Sequence, residues 1–189
     1  MNWLSNFENL KSNLLSLTTR NHAGEEIESD SAFVQWKDDT LQVRAARKSV
    51  FLIGNGASAS MASHIAADLA KNAHIRTEVF SDLSLITAIA NDLSYVEVFA
   101  EPLCRRMTEG DMLVAISSSG QSPNILRAVK EAMRLDGIVV TLSAMNPNNA
   151  LRSQGLLNFY IPAKSYGMSE TCHAAILHYW MDLVVASIE

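Results

Sequence analysis

The chain has 189 residues, of which 48% are hydrophobic and 19% charged, proportions that are ordinary for a soluble globular protein. Its net charge of −5 argues against a dedicated nucleic-acid binder, which usually has a basic surface, and against an anionic membrane surface as a partner. Two distant cysteines, Cys104 and Cys172, form no disulfide framework, and the polar N-terminus has no signal-peptide core. We therefore expect a protein of the cytoplasm, a reducing compartment.

The first 47 residues predict two amphipathic helices. Apolar residues recur at spacings of three and four from Trp3 to Leu17, which indicates the first helix. The polar stretch 21–30 predicts a loop, and residues 31–47 predict a second helix. Its candidate buried residues are Phe33, Val34, Trp36, Leu41 and Val43. Two such helices could cover one face of the domain or pack against another chain.

From residue 49 onward, short apolar runs alternate with helical segments. Strands are predicted over 49–53, 76–80, 112–116, 137–142 and 156–161. Helices are predicted over 58–73, 84–107, 122–135 and 169–187. This alternation is typical of an α/β fold, here a flavodoxin-like doubly wound five-stranded parallel sheet that binds ligands beyond the carboxyl ends of its strands. The length suits one domain, 1–189, with an N-terminal helical segment, 1–47, and a sheet core, 48–189.

The first predicted strand ends in the loop GNGASA, residues 54–59. This loop matches GxGxxA, a weak dinucleotide fingerprint, and Asp82 follows the second strand, where such folds place a ribose-binding acid. An NAD-dependent enzyme is therefore one hypothesis. A tight strand-to-helix turn without any cofactor explains the glycines equally well.

The third predicted strand ends in a serine-rich loop, ISSSGQSPN, residues 116–124. Ser122 is a plausible N-cap, with Pro123 at the first helical position. Free N–H groups at a helix N-terminus and serine hydroxyls together suit one phosphate group. The loop has no Lys and so is not a Walker A site, although a merely polar, capped turn is the alternative. If both loops face one pocket, Ser58 and the serines could hold different parts of a compact phosphosugar.

These segments carry a family resemblance. GNGASAS, TAIANDLSYVEVF and AISSSGQSPNI, with a C-terminal ExxHxxxxH, resemble the phosphoheptose isomerases of the SIS (sugar isomerase) domain family. Those enzymes interconvert sedoheptulose 7-phosphate and a heptose 7-phosphate. The resemblance implies an isomerase that supplies heptose for a surface polysaccharide such as lipopolysaccharide. It also implies a homotetramer with sites at subunit interfaces and no organic cofactor.

The resemblance also implies roles for particular residues. The phosphate would be held by Ser117, Ser118, Ser119 and Ser122. The rest of the substrate would contact Asn55, Gly56, Ser58, Asp92 and Glu170. The catalytic carboxylate falls on Asp68, where the family usually has Glu, and the catalytic histidine on His178. Some family members carry zinc, on positions that here are His64, Asp68, Glu170 and His178.

Aldose–ketose isomerisation needs a base beside two adjacent carbons and an acid for the carbonyl oxygen, roles that suit a carboxylate and an imidazole. His64 and Asp68 are four residues apart and therefore share a helix face. The two could be metal ligands, acid–base groups or an ordinary helix pair. Glu170 and His178 lie about 80° apart around a helix and roughly 12 Å apart along it. By the same geometry, His173 faces away from His178.

The competing hypothesis is a non-catalytic phosphosugar-binding relative that regulates a partner such as a replication initiator.

Overall fold

The computed structural model describes residues 2–188, and this part of the chain forms seven α-helices and seven strands. The strands are β1 (Thr18–Asn21), β2 (Glu26–Ile27), β3 (Ser49–Gly54), β4 (Arg76–Val79), β5 (Met112–Ser117), β6 (Ile138–Ala144) and β7 (Leu157–Ile161). The helices are α1 (Trp3–Leu15), α2 (Ser29–Ala45), α3 (Ala57–Asn72), α4 (Leu83–Asp92), α5 (Ala100–Arg106), α6 (Pro123–Arg134) and α7 (Tyr166–Ala186). No helix among these residues is both long and apolar enough to cross a membrane.

The seven strands form one sheet in the order β2-β1-β7-β6-β5-β3-β4. Its last five members are all parallel, and their order is the flavodoxin-like one, so the predicted doubly wound core is confirmed. The strand count of five is wrong, because β1 and β2 add an antiparallel hairpin beside β7. The turn of this hairpin and β2 lie in the predicted loop 21–30, and most of β1 lies just before it. The residues of the hairpin are polar because it forms the edge of the sheet, and the Asn21 side chain closes its turn by accepting from the N–H groups of Ala23 and Glu25.

Helices cover both faces of the sheet. Alternate residues of β3 illustrate the two cores: Val50 and Leu52 join the core beneath α2, α3 and α7, whereas Phe51 and Ile53 join the core beneath α5 and α6. Burial on both faces explains why the parallel strands are nearly continuous apolar runs.

The N-terminal helices lie against the α7 side of the sheet. Trp36 of α2 stacks on Trp180 of α7, with ring centroids 4.1 Å apart and both residues fully buried. Of the predicted core residues of α2, Phe33, Trp36 and Val43 are buried and Leu41 is half-buried. The prediction for Val34 is wrong: this residue is 50% exposed, because two positions from Trp36 is about 200° around a helix.

The single helix predicted over 84–107 is wrong. The chain forms α4, a short 3₁₀ turn at Tyr95–Glu97, and α5. Ser94 has an extended backbone, which ends helical geometry after α4. Pro102 lies in the first turn of α5, where its missing N–H costs no helical hydrogen bond, whereas in the interior of one long helix it would break the ladder.

Candidate active site

The serine loop joins β5 to α6 at the carboxyl edge of the sheet. Ser117 and Ser118 are buried, and the hydroxyls of Ser117 and Ser122 lie 3.3 Å apart. Ser122 is the N-cap residue of α6, as predicted, but its side chain does not accept a capping hydrogen bond. The Ser118 Oγ is buried and has no hydrogen-bond partner within residues 2–188. Buried hydroxyls are normally satisfied, so these serines fit a ligand that accepts hydrogen bonds.

Two neighbouring segments hold this loop rigidly. The Ala144 N–H donates to the Ser118 carbonyl, and the Leu151 N–H donates to the Gly120 carbonyl, each at 3.0 Å. Gly120 has φ +60°, and a Cβ placed there would overlap the side-chain amide of Asn149. The loop therefore needs glycine at this position, and its shape is determined before any ligand binds.

The loop after β3 lies beside the serine loop, because β3 and β5 are neighbours paired at Gly54 and Ile116. The side-chain amides of Asn55 and Asn124 exchange hydrogen bonds of 3.0 and 2.9 Å, and the Tyr95 hydroxyl donates to the Asn55 Oδ1 at 3.2 Å. Asn124, at the start of α6, is only 2% exposed. These contacts orient Asn55 towards the cavities described next.

Two small cavities share Asn55. One, of about 140 Å³, is lined by the four predicted phosphate-binding serines together with Asn55, Ser58, Tyr166 and Glu170. The other, of about 200 Å³, includes Gly56, Phe80, Tyr95 and Phe99. The structure therefore brings most of the predicted substrate-binding residues together. Asp92 is the exception: this exposed residue at the end of α4 lines neither cavity and accepts a hydrogen bond from Asn91.

Sequence reasoning missed Asn124, Tyr95 and Tyr166. Asn124 directly follows Ser122 and Pro123, so its place at the N-terminus of α6 could have suggested a role at this edge. Nothing local indicates Tyr95, since its partner Asn55 is 40 residues away along the chain.

His64, Asp68 and His178 form a second cluster, on the outer surface where α3 packs beside α7. The His64 Nε2 lies 3.3 Å from the Asp68 Oδ2, and the rings of His64 and His178 are 5.4 Å apart between centroids. One ligand atom from each residue lies within 4.8 Å of the others. Two imidazoles and a carboxylate are a donor set that suits Zn²⁺, and their spacing requires only small movements to hold it.

The predicted set of four zinc ligands is not assembled within one chain. Glu170 lines the serine cavity instead of joining the other three residues. The physical reason is the spacing along α7, since eight residues of helix separate Glu170 from His178 by roughly 12 Å. On α3, His64 likewise lies about 9 Å along the helix from Ser58. The serine cavity and the His–Asp cluster are therefore separate surfaces of one chain.

Two other residues considered in the sequence analysis, His173 and Asp82, have structural roles. His173 is completely buried, with its Nε2 3.2 Å from the Ser143 carbonyl of β6, and burial lowers its pKa to about 4. It thus faces away from His178, as predicted. Asp82, the candidate ribose-binding acid, is the N-cap of α4 and accepts a hydrogen bond from the Leu85 N–H. That contact explains the acid without a dinucleotide.

The SIS domain family model matches residues 10–144. A phosphoheptose isomerase of Chlorobaculum parvum is 35% identical over 144 residues, which are 71% of this chain and 68% of that one. A phosphoheptose isomerase of Mycobacterium tuberculosis is 34% identical over 135 residues, 68% of each chain. Among solved structures, a phosphoheptose isomerase of Neisseria gonorrhoeae superposes with a TM-score of 0.74 at 28% identity, covering 80% of this chain and 84% of that chain.

Proposed function

The chain belongs to the SIS domain family, among the phosphoheptose isomerases, and on that basis we propose that it interconverts sedoheptulose 7-phosphate and a heptose 7-phosphate. One observation supports this proposal above the others. The buried, unpartnered Ser118 hydroxyl lies in a rigid cavity with three more serines at a helix N-terminus. Such a site suits a phosphate monoester held by neutral donors.

The two cavities divide the substrate between them in this proposal. The serine loop holds the phosphate, with Ser117, Ser118, Ser119 and Ser122 as donors. Asn55, Ser58 and Glu170 are placed to contact sugar hydroxyls near it, and Gly56 lines the adjoining cavity. Asp92 lines neither cavity, so its predicted contact with the sugar requires a movement of α4.

We assign the proton transfer to Asp68 and His178. The carboxylate removes a proton from the carbon beside the carbonyl while the imidazole group donates a proton to the carbonyl oxygen, which gives the enediol. The protonated carboxyl then returns its proton to the former carbonyl carbon, and the imidazole takes the proton of the other enediol hydroxyl, which becomes the new carbonyl. Since both lie away from the serine cavity of their own chain, we propose that a second copy completes each site. The exposed apolar residues Trp3, Leu4 and Phe7 of α1 support such assembly, and a homotetramer is the proposed form.

Zinc is proposed as the occupant of the cluster of His64, Asp68 and His178, with Glu170 of another copy as a further ligand. When bound, the ion would polarise an oxygen of the substrate as a Lewis acid. With zinc bound, Asp68 and His178 would serve as its ligands instead of as the proton-transfer pair, whereas the role of the serine loop would be unchanged. A cytoplasmic location, with heptose supplied for a lipopolysaccharide, completes the proposal.

The two earlier alternatives are not favoured. An NAD-dependent enzyme is not favoured, because Asp82, the candidate ribose-binding acid, caps α4. A purely regulatory protein would not need His178 held beside Asp68 and His64, and the relatives described above are named as isomerases.

The proposal is tested by incubating the purified protein with sedoheptulose 7-phosphate and following the aldose by NMR. We expect conversion by the wild-type chain and strongly weakened substrate binding by the Ser118→Ala variant. Ser153→Ala, which replaces an exposed serine outside both cavities, is the matched control and should behave as wild type. No aldose formation by the wild-type chain, with and without added Zn²⁺, would contradict the proposal.

A further inference from the structure

A basic cleft lies at the opposite edge of the sheet from the serine loop. It has a volume of about 230 Å³ and is lined by Arg44, Arg47, Lys48, His74, Ile75 and Arg76. The α2 and α3 helices end here, and β3 and β4 begin here. The length of β3 separates the cleft from the Gly54 end of the strand by roughly 17 Å. It is therefore distinct from the proposed isomerase site.

The four Arg and Lys side chains of the basic cleft lack carboxylate partners. None of Arg44, Arg47, Lys48 and Arg76 forms an ion pair with any residue in the range 2–188. Eight other Lys and Arg side chains do form such pairs: Arg20, Lys37, Lys71, Arg105, Arg106, Arg127, Arg134 and Arg152. A chain of net charge −5 thus concentrates uncompensated positive charge at one point.

A buried carboxylate close to the cleft, that of Asp111, is already satisfied. Asp111 accepts from the Ser49 N–H with one oxygen, and from the N–H and hydroxyl of Thr108 with the other. The Lys48 ammonium contacts the Thr108 hydroxyl at 3.2 Å and does not pair with Asp111. Repulsion among the cleft cations is therefore left for another anion to relieve.

Helix ends explain part of this arrangement. Cations are favoured at helix C-termini, and the Arg44 Nε donates to the Ala73 carbonyl while the Arg76 Nη1 donates to the Arg47 carbonyl. Each contact orients a guanidinium but uses only one of its five N–H groups. Two helix termini do not require five cationic or imidazole side chains around one cavity.

We propose that the basic cleft binds a small, multiply charged phosphate anion. Guanidinium groups match phosphate oxygens with two parallel hydrogen bonds, which is the chemistry this set of side chains offers. The lining contains no aromatic ring other than the imidazole of His74 and no carboxylate, so it provides neither a hydrophobic platform for a nucleobase nor an acid–base pair. The cleft is therefore proposed as a binding site and not as a catalytic one.

The test is calorimetric titration of the full chain with pyrophosphate. The protein carries Ser118→Ala and Ser119→Ala, so that the serine loop contributes little to the signal. Adding Arg47→Gln and Arg76→Gln should weaken pyrophosphate binding about tenfold or more, because both changes remove charge-assisted contacts. Adding Lys11→Gln and Lys130→Gln, which removes two exposed cations elsewhere, should leave the affinity unchanged.

Three outcomes would overturn the proposal. The first is no saturable pyrophosphate binding to the serine-loop variant. The second is equal binding by the cleft variant and the lysine control. The third is a change in sedimentation coefficient for the cleft variant with unchanged pyrophosphate affinity, which would make this surface a contact between copies. In a chain whose serine loop is intact, the Arg47→Gln/Arg76→Gln variant should have the isomerase activity of the wild type.

Discussion

The serine cavity and the His–Asp cluster differ in how complete they are within one chain. The cavity contains the buried side chains of Ser117 and Ser118, its loop is held by hydrogen bonds from Ala144 and Leu151, and its predicted serines lie together. The cluster of His64, Asp68 and His178 lies on the outer surface, and the side chain of His64 is 61% exposed. In the proposed function, one chain binds the phosphate with its own serine loop but needs a second copy for proton transfer on the bound sugar. Binding and catalysis should therefore respond to different substitutions.

The largest effect should come from His178→Ala. Loss of a positioned acid–base group should lower kcat by about 10²–10⁴-fold, while sugar phosphate affinity stays near that of wild type. Steady-state kinetics combined with calorimetric titration would measure both. His22→Ala, which changes an exposed histidine in the β1–β2 turn, is the control and should alter neither quantity. A parallel loss of binding in His178→Ala would remove the distinction between the two regions.

The free energy of unfolding should depend on pH because of the buried His173. Burial keeps its imidazole neutral when folded, with a pKa of about 4 instead of 6.5, so below pH 6.5 only the unfolded chain gains the proton. Stability should therefore fall as the pH drops from 6.5 to 4, by about 3 kcal/mol in all. Urea unfolding at several pH values would measure this loss. His173→Asn should flatten the profile in that window, and an unchanged slope would contradict the assignment.

Substitution of Ser118 should affect binding and leave chemistry intact. Removing one hydroxyl that donates to a charged phosphate should raise KM by about ten- to a hundredfold, the equivalent of a 1.5–3 kcal/mol hydrogen bond. The kcat at saturation should change little, since the cluster supplies the proton transfer. A fall in kcat with an unaltered KM would place Ser118 in the catalytic step and would contradict the separation of roles.

The smallest effect is expected at Tyr95. Tyr95→Phe removes the hydrogen bond to the Asn55 Oδ1, worth about 1 kcal/mol, and should raise KM roughly fivefold. Asn124 continues to hold Asn55, which limits the loss. Comparison with Tyr179→Phe, a half-exposed tyrosine of α7 outside both cavities, controls for the loss of a hydroxyl. Equal kinetics for the two variants would show that Tyr95 does not orient Asn55.

Local patterns in the sequence predict the parallel sheet and the serine loop well. Strands buried on both faces are continuous apolar runs, and Ser122 followed by Pro123 marks the start of α6. The β1–β2 hairpin escaped prediction because its residues are polar and its strands are only four and two residues long. Its pairing with β7 depends on residues more than 130 positions away, which no local pattern reveals.

The candidate site likewise contains residues that local sequence patterns predict and contacts that they do not. The serines and Asn55 lie at strand ends and could be assigned from the sequence, as could the helical separation of Glu170 from His178. The Asn55–Asn124 pair joins residues 69 positions apart. The His64–His178 contact joins α3 and α7, which are the first and the last helix of the α/β core in chain order. Such contacts depend on packing of the whole chain, so only the structure identifies them.

The central claim is that the serine loop of one copy works with the cluster of another. Mixing the Ser118→Ala/Ser119→Ala and His178→Ala chains after unfolding, and refolding them together, tests it directly. The assay uses substrate far below the KM of the serine variant, where neither variant alone turns over appreciably. Random assembly of shared sites would leave one site in four with an intact loop and an intact histidine, so about a quarter of wild-type turnover should return. Activity that stays at the sum of the two separate variants would contradict the account.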